Sequence, residues 1–346
     1  PTAAYLNELS FVKKVRKIGK SVLTIHNLEH QGVFPQRDFV LSGLPAEYSG
    51  IDGFEHQGSM NLLKGGIQHA DKITTVSPTY ASEVRTKAFG QGLEESLKYR
   101  GADLVGILNG IDQDSWNPQR DPALPSPIDP LDPSAGKSAC KRSLLEEMKL
   151  PPESRAPLFG VVSRLYWQKG LDLLLRILPS LISNSEANFV ILGSGDGKEE
   201  QAFRELARAY PTRISVFIGF DDGLARRIFA GTDFFLMPSR FEPCGLAQQY
   251  AMRYGSLPIG RRTGGLADTI IHYSRSTKRA NGFLFENANP SSFAKVVNRA
   301  IRLFQNPRKF ASIQGNALQS PCSWESAAKQ YADVYRWAME IPSKEK

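Results

Sequence analysis

A regular alternation of short apolar runs and longer amphipathic runs, between Pro157 and Tyr254, constrains the fold of this chain more than any other feature. Short apolar runs rich in β-branched and aromatic residues predict buried strands, and the amphipathic runs between them predict helices. The predicted elements are strands at 158–162, 188–192, 213–218 and 233–237 and helices at 171–182, 198–209, 222–230 and 246–254. Because strands that alternate with helices form a parallel sheet covered on both faces, the sequence predicts an α/β fold with a doubly wound sheet.

The segments that follow the predicted strands carry cations, glycines and one carboxylate. These segments are Arg164 to Gly170, Gly193 to Gly197, Ser239 to Leu246 and Arg261 to Asp268. In open parallel sheets, ligands bind outside the carboxyl ends of the strands. The sequence therefore predicts a site for a phosphate-bearing ligand at this edge of the sheet, although the glycine string alone is a weak signal.

The segment from Ser239 to Leu246 places Glu242 and Cys244 between a buried strand and a helix. A helix N-terminus attracts anions through its free N–H groups and its dipole. The alternative for this segment is a polar loop with one solvated glutamate. From the residue types alone, both interpretations stay open.

Several stretches resemble, in order along the chain, those of bacterial glycogen synthases and plant starch synthases. The stretches are TIHNLEHQGVFP, ITTVSPTYASEVRT, GILNGID, SRLYWQKGLDLLL, SRFEPCGLAQQYAMRYGSLPI, RRTGGLADT and CSWESAAKQY. The resemblance implies a GT-B fold, with two Rossmann-like doubly wound domains that face a cleft. It also implies a retaining hexosyltransferase that moves glucose from ADP-glucose to the non-reducing end of an α-1,4-glucan.

In this resemblance, Arg164, Lys169 and Glu242 are the residues that act in catalysis. Breaking the bond between the anomeric carbon and phosphate leaves negative charge on the diphosphate, which fixed cations or a metal ion must stabilise. The motifs have no carboxylate or histidine cluster at metal-ligand spacing nearby, so we expect no metal and no cofactor. Arg164 and Lys169 would hold the diphosphate, and Glu242 would accept hydrogen bonds from glucose hydroxyls. The alternative for the two cations is a surface ion pair.

The resemblance also implies contacts with the donor outside this set. The predicted donor-binding residues are Asn109, Phe220, Cys244, Gly245, Leu246, Thr263, Gly264 and Gly265. Phe220 would stack on adenine or pack in the core, and Cys244 would pack near the donor without acting as a nucleophile. Gly264 and Gly265 would let backbone N–H groups reach the distal phosphate or the sugar, or would form a plain turn. Asn109 would face the glucose or serve a turn.

The first part of the chain has fewer predicted strands, at 21–25, 72–76 and 104–108. His26 and Asn27 end the first of these strands and are candidates for the acceptor side. A hydrogen-bonded loop histidine is the alternative for His26.

The predicted domains follow the resemblance. Residues 1–135 would be the remainder of an N-terminal, acceptor-side domain, residues 136–322 a nucleotide-sugar domain, and residues 323–346 a helix that crosses back to the first domain. The proline-rich stretch 117–136 is interpreted as a domain linker. Because the chain opens within a helical pattern and lacks the family's Lys-x-Gly-Gly-Leu and His-Asp-Trp-His stretches, we expect an incomplete first domain, and a fragment that is inactive alone.

The composition is that of a globular protein, with 41% hydrophobic residues, 23% charged residues and a net charge of +8. The cations are scattered, and the cluster Lys13–Lys17 is interpreted as a solvated helix end, so we expect no nucleic-acid partner. No apolar run approaches the length of a membrane span, so we expect no membrane partner.

Three cysteines, at positions 140, 244 and 322, lack the spacing of a disulfide framework or a zinc site and indicate a reducing compartment. The expected location is the bacterial cytoplasm, with a plastid as the alternative. The expected partners are ADP-glucose and an α-1,4-glucan, and the oligomeric state stays open. Alternative functions are a non-catalytic glucan- or nucleotide-binding remnant, or a GT-B transferase that uses another sugar nucleotide.

Overall fold

The computed structural model describes residues 1–12, 19–274 and 276–340. The chain divides into two compact units, of which the first comprises Pro1–Asn109 with the residues from Trp324 on, and the second comprises Gly110–Ser323. These units differ from the predicted domains because residues 110–135 belong to the second unit. The cluster Lys13–Lys17, predicted to be a solvated helix end, lies outside the described residues.

The first unit contains a small parallel sheet and a second, antiparallel sheet. Its elements, in chain order, are α1 (Thr2–Val12), β1 (Val22–Ile25), β2 (Val33–Pro35), β3 (Glu55–His56), β4 (Ser59–Asn61), α2 (Leu62–His69), β5 (Lys72–Thr75), α3 (Pro78–Glu83), α4 (Glu94–Tyr99) and β6 (Leu104–Gly106). Short 3-10 helices occupy Gln36–Ser42, Ala46–Ser49 and Gly101–Asp103. The parallel sheet has the order β1-β5-β6, and the antiparallel sheet has the order β2-β4-β3. The three strands predicted in this part of the chain are thus confirmed as one parallel sheet.

A buried tyrosine fixes the loop that follows β1. The Ser77 side chain accepts a hydrogen bond from the Tyr80 N–H, and Pro78 occupies the first turn of α3, as Ser-Pro helix starts favour. This start places the Tyr80 side chain in the interior, where its hydroxyl accepts the Leu28 N–H at 3.0 Å. Burial raises the pKa of Tyr80 to about 12, so the hydroxyl stays protonated. The hydrogen bond from Leu28 to Tyr80 therefore fixes the loop that carries His26 and Asn27 just after these two residues.

The second unit contains the doubly wound sheet. Its elements are α5 (Ser134–Glu147), β7 (Leu158–Val162), α6 (Leu171–Asn184), β8 (Asn188–Gly193), α7 (Gly197–Ala209), β9 (Ile214–Ile218), α8 (Asp222–Gly231), β10 (Phe234–Met237), α9 (Ala247–Arg253), β11 (Leu257–Arg261), α10 (Gly264–Thr269), β12 (Phe283–Phe285), α11 (Pro290–Phe304) and α12 (Pro307–Leu318). The last helix, α13 (Trp324–Ala338), groups with the first unit.

The strand order of the six-stranded sheet is β12-β11-β10-β7-β8-β9, and every pairing is parallel. The chain runs outward from β7 to β9 and then returns to the other side of β7 at β10. The direction of winding therefore reverses between β7 and β10, which is the switch point at which such sheets bind ligands.

Alternate residues of each strand supply two separate cores, because successive side chains of a strand point to opposite faces. On one face, the ring of Phe159 stacks between Phe189 and Phe234, at centroid distances of 5.2 and 4.9 Å. On the other face, the neighbouring residues Leu158 and Phe235 pack with helices α5, α8 and α9. The predicted doubly wound architecture is confirmed.

The interpretation of the proline-rich stretch 117–136 as a domain linker is wrong, because the stretch is part of the second unit and packs within it. Ile128 is fully buried, and its N–H donates to the Pro118 carbonyl at 2.8 Å. The carboxylate of Asp121 is buried and accepts hydrogen bonds from Arg226 Nη1 at 3.0 Å and from the Tyr254 hydroxyl. Pro118 and Pro122 occupy turns, at positions that need no backbone donor, so a high proline content is compatible with a packed segment.

Within the described ranges, no helix combines the length and the apolar composition that crossing a bilayer requires.

Candidate functional site

Two loops meet at the switch point of the second sheet. The β7 loop comprises residues 163–170, and the β10 loop comprises residues 238–246. The Arg240 N–H donates to the Gln168 carbonyl at 2.8 Å, and Gln168 Nε2 donates to the Phe241 carbonyl at 3.2 Å. Gly170 has a φ of +64°, and a Cβ at this position would lie 2.1 Å from the Pro238 carbonyl oxygen. The two loops are therefore packed backbone against backbone.

Lys169 and Glu242, both predicted as site residues, form an ion pair across these loops. Lys169 lies at the end of a 3-10 helix (Trp167–Lys169), and its Nζ is 2.7 Å from Glu242 Oε2. The Ser239 hydroxyl donates to the same oxygen at 3.0 Å. Glu242 is only 6% exposed, so this charge depends on its two partners. Sequence reasoning proposed both charges but not the bond between them.

Arg240 and Asp172 form a second ion pair that sequence reasoning missed. Both guanidinium Nη atoms of Arg240 contact the carboxylate, at 2.7 and 2.8 Å, in a bidentate arrangement. The Arg240 side chain also donates to the Trp167 carbonyl at 2.8 Å. Hydrogen bonding from Arg240 lowers the pKa of Asp172, which therefore stays ionised. This pair anchors the β10 loop to the first turn of α6.

Gly264 and Gly265 lie where α10 packs on the β10 loop. Gly264 has a φ of +42°, and a Cβ there would lie 2.0 Å from the Glu242 carbonyl oxygen. A Cβ at Gly265 would lie 1.8 Å from the Cys244 carbonyl oxygen. The Gly265 N–H donates to the Glu242 carbonyl at 3.0 Å. The prediction that this N–H reaches a phosphate or sugar is therefore wrong for this conformation, because the β10 loop uses it. Thr263, just before the pair, is fully buried.

Gln248, which sequence reasoning missed, holds the end of the β10 loop. Its Nε2 donates to the carbonyls of Cys244 and Gly245 at 3.1 and 2.7 Å, and to Thr269 Oγ1 at 3.1 Å. Gly245 has a φ of +67°, which glycine adopts without strain. Cys244 is buried, and Leu246 is the residue just before α9. The Gln248 side chain therefore fixes the conformation that presents Glu242.

Two neighbouring cavities open at the carboxyl ends of these strands. One, of about 230 Å³, is lined by Arg164, Lys169 and Ser239 among others. The other, of about 210 Å³, is lined by Arg164, Gly193 and Phe220 among others. Phe220 is 91% exposed, so the alternative that it packs in the core is excluded. Both cavities share the Arg164 side chain.

Arg164 presents a positive charge to both cavities. Its side chain is exposed, and its guanidinium lies 5.6 Å from the ring centroid of Tyr166. Within the part of the chain that the structure describes, it forms no ion pair with a carboxylate. The alternative of a surface ion pair therefore fails for Arg164, whereas Lys169 does pair, but with another predicted site residue. An anionic ligand with an extended phosphate group would contact both cations.

The remaining predicted residues belong to the first unit. His26 follows β1 and is exposed, and the Asn27 carboxamide oxygen accepts the Glu29 N–H at 3.0 Å. Asn109 follows β6 and is partly buried. Because these three residues and the donor loops lie in different compact units, the roles predicted for them stay predictions.

Comparison with known proteins identifies the class to which this fold belongs. Residues 1–99 match the family model of the starch synthase catalytic domain, and residues 146–314 match that of group 1 glycosyl transferases. The catalytic domain of starch synthase IV from Arabidopsis thaliana, solved bound to ADP and acarbose, matches with a TM-score of 0.89 at 33% identity, over 97% of this chain and 70% of that chain. The fold is that of a glycosyltransferase of the GT-B class.

The curated relatives identify the family within that class. The glycogen synthase of Thermosipho melanesiensis is 44% identical over 320 residues, which are 92% of this chain and 66% of the relative. The glycogen synthase of Leptothrix cholodnii is 43% identical over 335 residues, which are 96% of this chain and 68% of the relative. The chain belongs to the glycogen and starch synthase family, as its motifs predicted. It spans about two thirds of the length of these relatives.

Proposed function

We propose that this chain carries the donor-binding half of a retaining glucosyltransferase that moves glucose from ADP-glucose to the non-reducing end of an α-1,4-glucan. One observation carries the proposal: Lys169 pairs with Glu242 at 2.7 Å, at a sheet switch point where the Arg164 charge is exposed. Two cations and one carboxylate at this point match two adjacent parts of a nucleotide sugar, the diphosphate and the glucosyl group. The ADP-bound starch synthase neighbour supports adenine as the base.

In the proposed reaction, the bond between the anomeric carbon and the diphosphate oxygen breaks, and a bond to the acceptor hydroxyl oxygen forms on the same face. The acceptor proton passes to an oxygen of the leaving diphosphate. Arg164 supplies a planar guanidinium and Lys169 a compact ammonium to the charge that develops on the diphosphate. Lys169 does not have to move far, because the packed β7 and β10 loops hold it in place.

Glu242 has a positioning role in this scheme. Its Oε2 atom is occupied by Lys169 and Ser239, whereas Oε1 has no hydrogen-bond partner among the described residues. Oε1 would accept a hydrogen bond from a glucose hydroxyl, and the carboxylate would stabilise positive charge at the anomeric carbon. Retaining glycosidases form a covalent glycosyl intermediate with a pair of carboxylates. In the reaction proposed here, the leaving diphosphate takes the acceptor proton instead, so Glu242 needs no second carboxylate.

The base of the donor would occupy the cavity lined by Arg164, Gly193 and Phe220. The exposed ring of Phe220 offers a stacking surface for adenine, without the hydroxyl that a tyrosine would add. Calorimetry with ADP and with UDP tests this part of the proposal. Stronger binding of ADP is expected, and a preference for UDP would exclude ADP-glucose as the donor.

The cytoplasm is the compartment that we propose for this reaction. Within the described residues, Cys140, Cys244 and Cys322 are buried and form no disulfide bond, which suits a reducing compartment. The two curated relatives described above are bacterial glycogen synthases, which supports a bacterial source.

The decisive experiment removes each cation in turn and measures glucosyl transfer. Arg164→Ala and Lys169→Ala should each lower turnover by roughly 10²-fold, the effect of losing one preorganised group that stabilises transition-state charge. Transfer of labelled glucose from ADP-glucose into glycogen measures the turnover. Lys198→Ala is the matched control, because Lys198 is exposed in the first turn of α7, at the same edge of the sheet. Near-normal turnover in both test variants, with normal folding, would refute the assignment.

A further inference from the structure

A separate cavity of about 730 Å³ lies in the second unit, beside the edge strand β12 and the helices α11 and α12. It is two strands away from β10 in the sheet order, and it shares no lining residue with the two cavities at the switch point. Its histidine and charged lining residues are His272, Glu286, Lys295, Arg299, Arg302 and Lys309. Neither the proposed transfer reaction nor the family motifs use this cavity.

The lining has a marked excess of positive charge. Lys295, Arg299 and Arg302 lie on one face of α11, and Lys309 lies in the first turn of α12. Among the described residues, none of these four cations pairs with a carboxylate. The one carboxylate in the described lining, Glu286, is already paired with Arg262 at 2.7 Å. Like charges one turn apart on a helix repel, so an anion bound among them would stabilise the arrangement.

The hydrogen bonds of His272 independently indicate that this cavity suits an anion. The Leu284 N–H donates to His272 Nδ1 at 2.9 Å, so the proton of the neutral imidazole lies on Nε2. Arg299 Nη1 lies 3.3 Å from that Nε2 atom. Two donors therefore face each other at this point. A ligand oxygen at this point would accept from both groups.

The surroundings keep both donors in place. Arg299 lies over the ring of Tyr273, at 5.3 Å from its centroid, which orients the guanidinium. Burial and the guanidinium groups of Arg299 and Arg262 lower the pKa of His272, so the imidazole is neutral at neutral pH. The cavity is therefore built to donate hydrogen bonds to an anion.

We propose that this cavity binds a phosphate-bearing small molecule. One phosphate group would bridge His272 Nε2 and Arg299, and further anionic groups would reach Lys295, Arg302 or Lys309. Guanidinium groups match the geometry of phosphate oxygens, and the volume is that of a small-molecule site. A single carboxylate would leave most of the four cations unpaired. The proposal does not depend on the transfer reaction.

Titration calorimetry with inorganic pyrophosphate and with inorganic phosphate tests the site. The chain used carries Arg164→Ala and Lys169→Ala, so that the donor loops do not contribute binding of their own. Arg299→Gln and Lys309→Gln should each weaken pyrophosphate binding by about tenfold or more, the loss expected for one charge-assisted hydrogen bond. Arg308→Gln is the matched control, because Arg308 is an exposed neighbour on α12 that does not line the cavity.

The outcomes separate a built site from diffuse attraction. Tighter binding of pyrophosphate supports a ligand with several phosphates, and equal binding of both anions supports a monophosphate. Equal weakening by Arg308→Gln and Lys309→Gln would show non-specific electrostatics and overturn the proposal. Because Arg299 contacts two side chains of the fold, Lys295→Gln provides a second test from an exposed position. Unchanged affinity in Lys295→Gln and Lys309→Gln together would also overturn it, as would no binding of either anion.

Discussion

Replacing Asp121 with alanine should destabilise the second unit by about 3 kcal/mol, the lower end of the cost of breaking a buried ion pair. The Asp121 side chain is 1% exposed and lies 3.0 Å from Arg226 Nη1. It also accepts a hydrogen bond from the Tyr254 hydroxyl. Burial and this hydrogen bond raise the pKa of Tyr254, which keeps the hydroxyl protonated as a donor.

The size of the expected destabilisation follows from the contacts that Arg226 and Tyr254 keep when Asp121 is removed. Removing one member of a buried pair leaves an uncompensated charge and costs roughly 3–5 kcal/mol. Arg226 retains Asp222 at 2.8 Å, which places the cost at the low end of that range. Tyr254 loses its acceptor, which prevents the cost from falling much lower. For a unit of roughly 200 residues, about 3 kcal/mol corresponds to a fall in Tm of roughly 6–12 °C.

Urea unfolding followed by the fluorescence of Trp116 measures the effect. The Trp116 ring stacks on Tyr250 at 3.8 Å, and the Arg226 guanidinium lies 4.0 Å from the ring centroid, so this tryptophan reports on the same cluster. A background with phenylalanine at the other tryptophan positions isolates the signal. These positions are Trp167, Trp324 and Trp337.

Asp129→Ala is the matched control, because Asp129 is an exposed aspartate in the same proline-rich stretch. Its substitution should change stability by less than about 0.5 kcal/mol, as surface changes usually do. If Asp121→Ala had the same small effect, the proline-rich stretch would be a solvated linker and the packing argument would be refuted.

Three further predictions concern glycines and a histidine. Gly265→Ala places a Cβ 1.8 Å from the Cys244 carbonyl oxygen, so it should separate α10 from the β10 loop. ADP binding, measured by calorimetry, should weaken by about tenfold or more, the scale of one lost hydrogen bond to a charged group. Unchanged affinity would show that this contact is dispensable. Gly315→Ala meets nothing within 4 Å in α12 and should instead raise stability by about 0.5–1 kcal/mol in urea unfolding, whereas a loss would contradict the open space there. Burial lowers the pKa of His272 below its ordinary value. The neutral imidazole therefore contributes its full stability at pH values above the ordinary pKa, and this contribution is lost as the pH falls through the lowered pKa. His272→Asn should therefore lose less stability than the parent between about pH 7 and 5 in phosphate-free buffer, and equal losses would contradict this assignment.

The regular elements could be predicted because their signals are local. The run 158–162 predicts a strand and is observed as Leu158–Val162, and the run 198–209 predicts a helix and is observed as Gly197–Ala209. Periodicity depends on neighbours a few residues apart, which the sequence displays directly. The positions of Arg164, Lys169 and Glu242 at strand ends followed from the same local pattern.

The contacts between loops could not be predicted, because they join residues far apart in the chain. Lys169 and Glu242 are 73 positions apart, and Asp172 and Arg240 are 68 apart. Residue types indicated charges at strand ends, but nothing local showed which charges pair. The glycine pair at 264–265 is a further example. The Gly265 N–H donates to the backbone carbonyl of residue 242, which any residue type would supply, so the sequence does not reveal this contact.

The proline-rich stretch shows how composition can mislead. Asp121 finds its partners Arg226 and Tyr254 at separations of 105 and 133 residues. Composition reports the turns that prolines favour and is silent about such distant partners. The error therefore lay in equating an absence of periodicity with an absence of packing.

The interlocked glycines also bear on how donor preference can diverge within a lineage. The carboxyl end of β8 also packs closely against the β7 loop, since a Cβ at Gly193 would lie 2.0 Å from the Ser163 carbonyl oxygen. A change in any of these backbone contacts disturbs the groups that we propose to hold the phosphates and the sugar. Phe220, in contrast, projects from the loop after β9 with most of its surface exposed. In the proposed donor site, recognition of the base can therefore change by single substitutions at this position, while the residues proposed to bind the transferred sugar stay the same.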